Sequence, residues 1–319
     1  MADGSTIGVV TVTYNSAHVL DGFLSSILAQ SHHNFILYVI DNASLDDTLE
    51  RLARYDDRRI ILIANRENAG VAKGNNQGIC AALEAGCESV LLINNDTEFG
   101  DDLFLRLCTG LRDHQCAMAV PKIMYFEETN HIWCAGGYFD RLKGYLGVHS
   151  GQDEVDRGQF DQVRRVEYSP TCCMLIRKEV FERIGLMDEQ YFVYFDDADF
   201  CLRARNNGIA LVYLPKAKLW HKVSSLTGGG ESEFAIHQLA RNHIYYIRKN
   251  FAFWKRLCYL PAYQLRLLYK VLFRIVDWRG FVIRQNAVFE GYKMSPKQEA
   301  HTNNHHLEST SRSSEKARV

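Results

Sequence analysis

The 319-residue chain lacks the features that mark several common classes of protein. Its nine cysteines are scattered and form no C-x-x-C unit or zinc-ligand spacing, which favours reduced thiols in a cytosolic setting. The net charge of −1 gives no case for a nucleic-acid partner. No uncharged run is long enough to span a bilayer, and the amino-terminal residues lack the basic segment of a signal peptide.

The glycine-rich loops of two large nucleotide-binding classes are also missing. Neither G-x-G-x-x-G nor G-x-x-x-x-G-K-[ST] follows the first predicted strand, so a Rossmann dehydrogenase and a P-loop NTPase are both disfavoured. Hydrophobic residues make up 47% of the chain and charged residues 24%, which is ordinary for a globular protein. The length suits one large domain, or one domain with an appendage.

The first hundred residues alternate between predicted strands and helices. Apolar and β-branched runs predict strands at residues 7–12, 35–40, 60–63 and 90–93. Helical patterns lie between them, the clearest at about 17–30 and 71–84. This β-α-β-α-β-α-β order predicts an α/β fold with a doubly wound sheet.

Each predicted strand runs into polar residues at its carboxyl end. Because the carboxyl ends of parallel strands meet at one edge of a sheet, we expect these side chains to share one crevice. They are Tyr14 with Asn15, Asp41, Asn68 with Lys73, and Asn94 through Asp96. An aromatic ring, a carboxylate and amides suit a nucleobase and a ribose. Taken singly, each residue is more often a turn or cap residue, so the inference depends on four patches in succession.

The most informative patch is residues 90–98, with the sequence VLLINNDTE. Its apolar half predicts a strand buried on both faces. Its polar half places the Asp96 carboxylate among amides and beside Thr97. Such a group suits a hard divalent cation that keeps some waters and borrows phosphate oxygens from a ligand. The alternative is a loop in which Asn and Asp cap the following helix.

Residues 191–205 (YFVYFDDADFCLRAR) contain three acids close together in sequence. Repulsion among Asp196, Asp197 and Asp199 is expected to raise the pKa of at least one carboxyl. A helix that begins near Asp196 would offset this repulsion through its free N–H groups and its dipole. We expect one of the three acids to serve as a helix cap and another as a general base.

The rest of the second half gives weaker signals. Residues 132–138 predict a strand that is broken by two glycines. The glycines would either let a ligand approach the backbone closely or form a bulge or turn. Residues 144–165 predict a loop over the active site. Strands are expected at 172–176 and 210–215, a helix at 178–184, and a Gly/Ser-rich lid at 224–230.

The composition shifts towards the carboxyl end. Residues 241–284 hold ten Lys or Arg and a single acid, Asp277, interleaved with aromatic and aliphatic residues. This pattern predicts amphipathic helices in the headgroup region of an anionic membrane. Alternatively, the helices pack their apolar faces on the catalytic domain and leave their basic faces in water. Residues 294–319 are polar and predict a disordered tail.

Four segments together resemble family 2 glycosyltransferases. They are residues 11–15 (TVTYN), 41–44 (DNAS), 68–78 (NAGVAKGNNQG) and 92–97 (LINNDT). Members of this family are inverting enzymes of the GT-A fold that use nucleotide-sugar donors. Within the family, the chain is most similar to bacterial rhamnosyltransferase-like members, which build cell-surface polysaccharides. The resemblance covers about residues 7–250.

The resemblance implies roles for individual residues. Asp96 matches the metal-binding carboxylate of an Asp-x-Asp motif whose first position is Asn94 here. His221 matches a histidine that completes the site for Mg²⁺ or Mn²⁺. Asp197 matches the catalytic base, and Asp196 would orient the acceptor or the base. The residues that would bind the nucleotide sugar are Thr13, Tyr14, Asn15, Asp41, Asn68, Lys73, Asn76, Asn94 and Asn95.

The predicted architecture is therefore an α/β, GT-A type nucleotide-binding sheet flanked by helices, with a C-terminal amphipathic helical extension. The catalytic domain is expected at residues 1–240, with a nucleotide-sugar half at about 7–100 and an acceptor half at about 101–240. The basic extension then occupies 241–293 and the tail 294–319.

The predicted function is transfer of a sugar, with rhamnose the expected candidate, from a dTDP-, UDP- or GDP-linked donor to a glycan or lipid-linked acceptor. This metal-dependent hexosyltransferase would serve polysaccharide synthesis at the inner face of the cytoplasmic membrane. One alternative is a sugar-phosphate nucleotidyltransferase, which should carry a Gly-rich basic loop where residues 14–16 read YNS. The other is a non-catalytic nucleotide-sugar sensor or membrane scaffold, against which the acids at 196–199 argue.

Overall fold

The first half of the chain forms the predicted alternation in a computed structural model that describes residues 5–223 and 232–296. The predicted lid at 224–230 and residues 297–319 of the predicted tail lie outside the described residues. The elements are β1 (Ile7–Thr13), α1 (Ala17–Leu28), β2 (Phe35–Asp41), α2 (Thr48–Leu52), β3 (Ile60–Ala64), α3 (Val71–Glu84) and β4 (Ser89–Ile93). The four strands are parallel, in the order β3-β2-β1-β4.

The second half extends this sheet on the β4 side. Its elements are β5 (Thr97–Phe99), α4 (Leu103–Asp113), β6 (Met118–Tyr125), β7 (Ile132–Cys134), β8 (Gly137–Asp140), β9 (Leu146–His149), β10 (Arg164–Val166), β11 (Cys173–Arg177), α5 (Lys178–Ile184), α6 (Asp196–Asn206) and β12 (Leu211–His221). β11 is antiparallel to both β4 and β6, and β12 is parallel to β6. β12 therefore runs in the same direction as β4, and its last residue, His221, reaches the same edge of the sheet.

Helices cover both faces of the sheet. One apolar cluster joins the sheet to α1 and α4, for example through Phe23 and Phe104. The other joins it to α3 and α6, for example through Ile79 and Phe200. The central strands are apolar on both faces because each face is covered, as is typical of parallel sheets between helix layers.

Three helices follow: α7 (Glu233–Asn250), α8 (Phe253–Leu272) and α9 (Trp278–Lys293). α7 buries eight side chains and packs against α9, so the predicted boundary at residue 240 falls inside a helix. By contrast, Leu267 is the single fully buried residue of α8. The alternative in which these helices pack on the domain is therefore realised throughout α7, whereas α8 packs on the core only through part of its surface, including Tyr259 and Leu260. Within the described residues, no helix combines the length and the apolar character that crossing a bilayer requires.

Three expectations for the second half need correction. The predicted strand at 132–138 is two strands, β7 and β8, because Gly136 takes a left-handed φ of +70° between them. The predicted loop at 144–165 contains β9, which pairs locally with β8. β12 continues past Pro215 to His221, because an irregularity between Leu214 and Lys218 accommodates the proline.

Candidate active site

Asp41 lies at the carboxyl end of β2, and its buried carboxylate is fixed by neighbouring polar groups. The Thr13 hydroxyl donates to it at 3.0 Å, the Ser44 hydroxyl at 2.5 Å and the Ser44 amide at 3.0 Å. The Tyr14 side chain follows Thr13 and is 41% exposed. A fixed carboxylate beside an open aromatic ring suits a ribose hydroxyl and a nucleobase.

Two predicted binding residues near this carboxylate shape loops. Asn15 has a left-handed φ of +52°, and its side-chain oxygen accepts from the Leu45 amide at 2.8 Å. The Asn68 side-chain oxygen accepts from the Gly70 amide at 3.0 Å in the turn that leads into α3. Both side chains therefore order the backbone that surrounds the crevice.

The two predicted residues on α3 differ in their surroundings. Lys73 is exposed in the first turn of the helix. Asn76 is buried. Its side-chain nitrogen donates to the Met187 carbonyl at 2.9 Å and to Glu189 Oε1 at 3.0 Å, and its side-chain oxygen accepts from the Met187 amide at 3.0 Å. Asn76 thus fastens α3 to the segment that leads into the acidic cluster, a role that the sequence did not indicate.

Asn94 and Asn95 follow β4. Asn94 bonds through its backbone, with its amide donating to the Cys172 carbonyl at 2.9 Å and its carbonyl accepting from Thr97 Oγ1 at 2.7 Å. The Asn95 side chain donates to the Val12 carbonyl at 3.2 Å and to Ser16 Oγ at 2.9 Å. Asn95 therefore holds the end of β4 against the end of β1.

Asp96 and His221 come together at this edge. An Asp96 carboxylate oxygen lies 3.1 Å from His221 Nε2, and both side chains are buried. The contact forms because β5 pairs antiparallel with β12, with Thr97 opposite His221. Burial disfavours a charged imidazole, but Cys172 and the Asp96 carboxylate outweigh it and raise the pKa of His221 well above its ordinary value.

A cation that displaces the proton of His221 would meet an imidazole nitrogen beside a carboxylate oxygen, and this donor set fits Mn²⁺ or Mg²⁺. Within residues 5–223 and 232–296, no three His, Cys, Asp or Glu side chains are arranged to hold a metal ion. A cavity of about 610 Å³ opens beside His221, and its lining includes Tyr125, Asp153 and Lys222.

The three acids of the cluster have separate environments at the start of α6. Asp199 is fully buried and accepts from Arg203 at 2.9 Å, Lys249 at 2.9 Å and Asn250 at 2.8 Å. Burial alone would raise its pKa, but Lys249 and Arg203 outweigh burial and lower it. Asp199 is therefore a structural carboxylate that is ionised at neutral pH.

Asp196 and Asp197 differ from Asp199 because the pKa of each is raised. Asp196 is 4% exposed, and burial together with the neighbouring Asp197 charge raises its pKa. Asp197 is half-buried and accepts from Tyr168 Oη at 2.8 Å and from the Ala198 amide at 2.7 Å. Burial also raises the pKa of Asp197, although these two donors oppose the shift. Asp197 is thus the more exposed acid of the pair.

The backbone before this pair is strained. Phe192, Tyr194 and Phe195 all have a left-handed φ, at +62°, +64° and +69°. Conformations of this kind cost on the order of 1 kcal/mol or more each and persist when the surroundings enforce them. Asn242 of α7 is fully buried and donates to the carbonyls of Val193 at 2.8 Å and Tyr194 at 3.0 Å. α7 therefore holds the turn that aims Asp196 and Asp197.

A row of aromatic rings connects the two ends of the site. The Trp133 ring lies 4.5 Å from the His221 ring and 4.6 Å from the His149 ring, centroid to centroid. His149 stacks on Tyr168 at 5.8 Å, and Tyr168 donates to Asp197. The structure thus brings the Asp96–His221 pair and the acidic cluster to one region. Trp133, His149 and Tyr168 were not among the predicted site residues, and their only signal in the sequence is the presence of aromatic residues around a polar span.

The family follows from comparison with known proteins. The sequence model of one family, described as "Glycosyltransferase like family 2", matches residues 4–243, well over half of the chain. The chain belongs to glycosyltransferase family 2. The predicted family and enzyme class are therefore confirmed, and the nucleotidyltransferase and non-catalytic alternatives are not favoured.

Two curated relatives have rhamnosyltransferase names. A dTDP-rhamnosyl transferase, RfbF of Shigella flexneri, is 26% identical over 69% of this chain and 70% of its own length. An N-acetylglucosaminyl-diphospho-decaprenol L-rhamnosyltransferase of Mycobacterium tuberculosis is 22% identical over 77% of this glycosyltransferase and 86% of its own length.

Solved structures confirm the predicted fold. GalNAc-T7 with UDP, GalNAc and Mn²⁺ has a TM-score of 0.63 and 17% identity, over 81% of this chain and 50% of that one. The mannosyltransferase PcManGT of Pyrobaculum calidifontis with GDP-Man and Mn²⁺ has a TM-score of 0.54 and 15% identity, over 90% and 84%. The fold is a GT-A α/β sheet flanked by helices, as the sequence predicted. Both of these neighbours are in complex with Mn²⁺.

Proposed function

We propose that this glycosyltransferase moves a sugar from a nucleoside diphosphate to an acceptor hydroxyl with inversion at the anomeric carbon. The acceptor class is a glycan or a lipid-linked glycan of the cell surface. The observation that carries the proposal is the aromatic row from His221 to Asp197, which links the proposed diphosphate-binding pair to the proposed base.

The donor would bind along the carboxyl ends of β1, β2 and β4. The Tyr14 ring would stack on the base and Asp41 would accept from the ribose, with Lys73 and the loops at Asn15 and Asn68 enclosing the nucleotide. Asp96 and His221 would hold Mn²⁺ or Mg²⁺, which when bound stabilises the negative charge of the diphosphate leaving group. Rhamnose is the proposed sugar because two relatives bear rhamnosyltransferase names.

Asp197 would act as the general base. Its carboxylate accepts the proton of the acceptor hydroxyl while that oxygen attacks the anomeric carbon from the side opposite the diphosphate. A single displacement of this kind inverts the anomeric centre, and no second carboxylate is needed as a nucleophile. Burial raises the pKa of Asp197, which makes its carboxylate a stronger base than an exposed one. Asp196, protonated beside it, would orient the acceptor.

Replacing Asp197 with Asn removes the proposed base and keeps the size of the side chain. We expect the turnover number to fall by about 10²- to 10⁴-fold, because no other group takes the acceptor proton. Binding of the nucleoside diphosphate should change little. Sugar transfer and calorimetric nucleotide binding are the two measurements.

The matched control for this change is Asp113→Asn, at the exposed carboxyl end of α4. It should retain wild-type turnover. If Asp197→Asn also kept most of the wild-type turnover, the assignment of the base would be wrong.

The proposed metal ligands, Asp96 and His221, can be tested by nucleotide binding without an activity assay. Mn²⁺ should strengthen the binding of a nucleoside diphosphate to the wild-type protein, because the cation links the phosphates to Asp96 and His221. In Asp96→Asn this strengthening should fall by at least about tenfold. The measurement is calorimetric titration of the nucleotide with and without Mn²⁺, with Asp113→Asn as the control. Equal strengthening in wild type and Asp96→Asn would exclude Asp96 as a ligand.

The exposed side of α8 and the start of α9 supports a membrane contact. We name it the basic-aromatic face; its members include Phe253, Trp254, Leu268, Leu272, Phe273 and Trp278, with Arg266, Lys270, Arg274 and Arg279. The apolar members are between 52% and 78% exposed. Aromatic rings among cations are complementary to the headgroups of an anionic bilayer. Such contact would bring the site to a lipid-linked acceptor at the inner face of the cytoplasmic membrane.

Vesicle binding tests the basic-aromatic face. The full-length protein should sediment with vesicles of phosphatidylglycerol and phosphatidylcholine, less so with phosphatidylcholine alone, and less as salt rises. The double variant Trp254→Ser, Trp278→Ser should bind about tenfold more weakly. A control with Leu62→Ser and Leu105→Ser, exposed positions on β3 and α4, should bind like wild type. Equal binding by both variants would argue against this face.

A further inference from the structure

The geometry points to Tyr168 as a positioning residue that fixes the carboxylate of Asp197 through its phenol hydroxyl. This inference rests on the proposed role of Asp197 as the base. Tyr168 Oη donates to Asp197 Oδ2 at 2.8 Å, while the Ala198 amide donates to Oδ1 at 2.7 Å. Each carboxylate oxygen therefore has one fixed donor and keeps capacity for a further hydrogen bond. The plane of the carboxylate is set before an acceptor arrives.

The ring of Tyr168 lies in a seat made by the β8–β9 hairpin. A Cβ atom on Gly147 would lie 2.6 Å from Cζ of Tyr168, the carbon that bears the hydroxyl. A Cβ atom on Gly137 would lie 2.3 Å from the Val148 carbonyl oxygen of β9 and 3.0 Å from Cδ1 of the same ring. Neither glycine has a left-handed φ, so Gly147 is explained by the space that the ring needs and Gly137 by the close approach of the β9 backbone and, less tightly, of the ring. Gly137 therefore admits other parts of this protein to its backbone, where the sequence left open a ligand or a turn.

The other side of the ring is also fixed. His149 stacks on Tyr168 with an interplanar angle of 21°, and Phe139 lies 5.7 Å away between centroids. Burial lowers the pKa of His149 to about 4, so the imidazole packs as a neutral ring. The Tyr168 amide donates to the Gly137 carbonyl at 3.2 Å, which ties its backbone to the hairpin as well. Ring and backbone are thus held by one local unit.

The chemistry of the phenol suits a permanent donor. Burial and the nearby Asp197 charge raise the pKa of Tyr168 well above its ordinary value, so its hydroxyl keeps its proton at working pH. A hydrogen bond to the ionised carboxylate stabilises the form that accepts a proton. Tyr168 therefore opposes the effect of burial on Asp197 and keeps more of the base ionised near neutral pH.

Tyr168→Phe removes the hydroxyl and leaves the ring in its seat. Since the ionised carboxylate loses a donor, the pKa of Asp197 rises. The acid limb of the pH profile of kcat/KM should move to higher pH by about one unit. The turnover number should fall by about tenfold, and the donor KM should stay unchanged. Steady-state kinetics across pH measure all three quantities.

Two further variants separate positioning from general packing. Tyr213→Phe also removes a buried phenol hydroxyl, which donates to the Phe160 carbonyl at 3.0 Å. It should lower thermal stability to a similar degree and leave the acid limb in place. Gly147→Ala displaces the ring at the carbon that bears the hydroxyl and so disturbs the contact with Asp197; it should move the limb in the same direction as Tyr168→Phe. The double variant Tyr168→Phe, Gly147→Ala should shift the limb little further than Tyr168→Phe alone, because both changes break the same contact.

The outcomes distinguish this inference from the proposed function. If Asp197→Asn is inactive and Tyr168→Phe retains the wild-type acid limb, Tyr168 does not position the base. The same conclusion follows if Tyr213→Phe shifts the limb equally. If instead Asp197→Asn retains turnover, the proposed base is wrong and the role of Tyr168 falls with it.

Discussion

The candidate site depends on how the protein accommodates the adjacent carboxyl groups of Asp196 and Asp197, with Asp199 close by, at the start of α6. Removing ionised carboxylates from water costs several kcal/mol each unless other groups compensate. The protein separates the acids by environment. Asp199 has cations on α6 and α7, Asp196 is buried against a like charge, and Asp197 keeps partial access to solvent and two donors. Asp199 is thereby structural, the raised pKa of Asp196 favours its protonated form, and Asp197 is the proposed base.

This constraint explains why a helix beyond the predicted catalytic domain belongs to the site. The strained turn at residues 192–195 aims the two acids, and its carbonyl groups need donors. Asn242 supplies them from α7, and Lys249 of the same helix compensates Asp199. The packing of α9 against α7 then connects the carboxyl-terminal helices to the geometry of the base. Contact of the neighbouring α8 with a membrane would therefore occur close to elements that hold the chemistry.

The sequence predicted the parts of this enzyme that depend on local pattern. Continuous apolar runs ending in polar residues predicted β1 to β4, and the acids after an aromatic run predicted the start of α6 at Asp196. The resemblance to family 2 glycosyltransferases added the fold and the assignment of Asp96, His221 and Asp197. These signals lie within short segments, so a single sequence contains them.

The missed features depend on contacts between distant segments. β9 is a short strand whose partner is β8, so its four residues read as part of a polar loop. Tyr168 has no signature of its own, and its role follows from the Asp197 oxygen that its hydroxyl meets. Asn76 was predicted to bind the nucleotide sugar from its segment, yet its amide bonds to Met187, 111 residues away. Long-range pairing of this kind is not encoded in local spacing.

The most direct test of the account is the anomeric configuration of the first product. The purified protein with Mn²⁺ would be incubated with a panel of nucleotide sugars that includes dTDP-rhamnose, UDP-glucose and GDP-mannose, and the released or transferred sugar followed by NMR. The account predicts that at least one donor is consumed and that its sugar first appears with the opposite anomeric configuration. A folded, Mn²⁺-loaded protein that consumes none of the donors, or one whose first product retains the donor configuration, would contradict it.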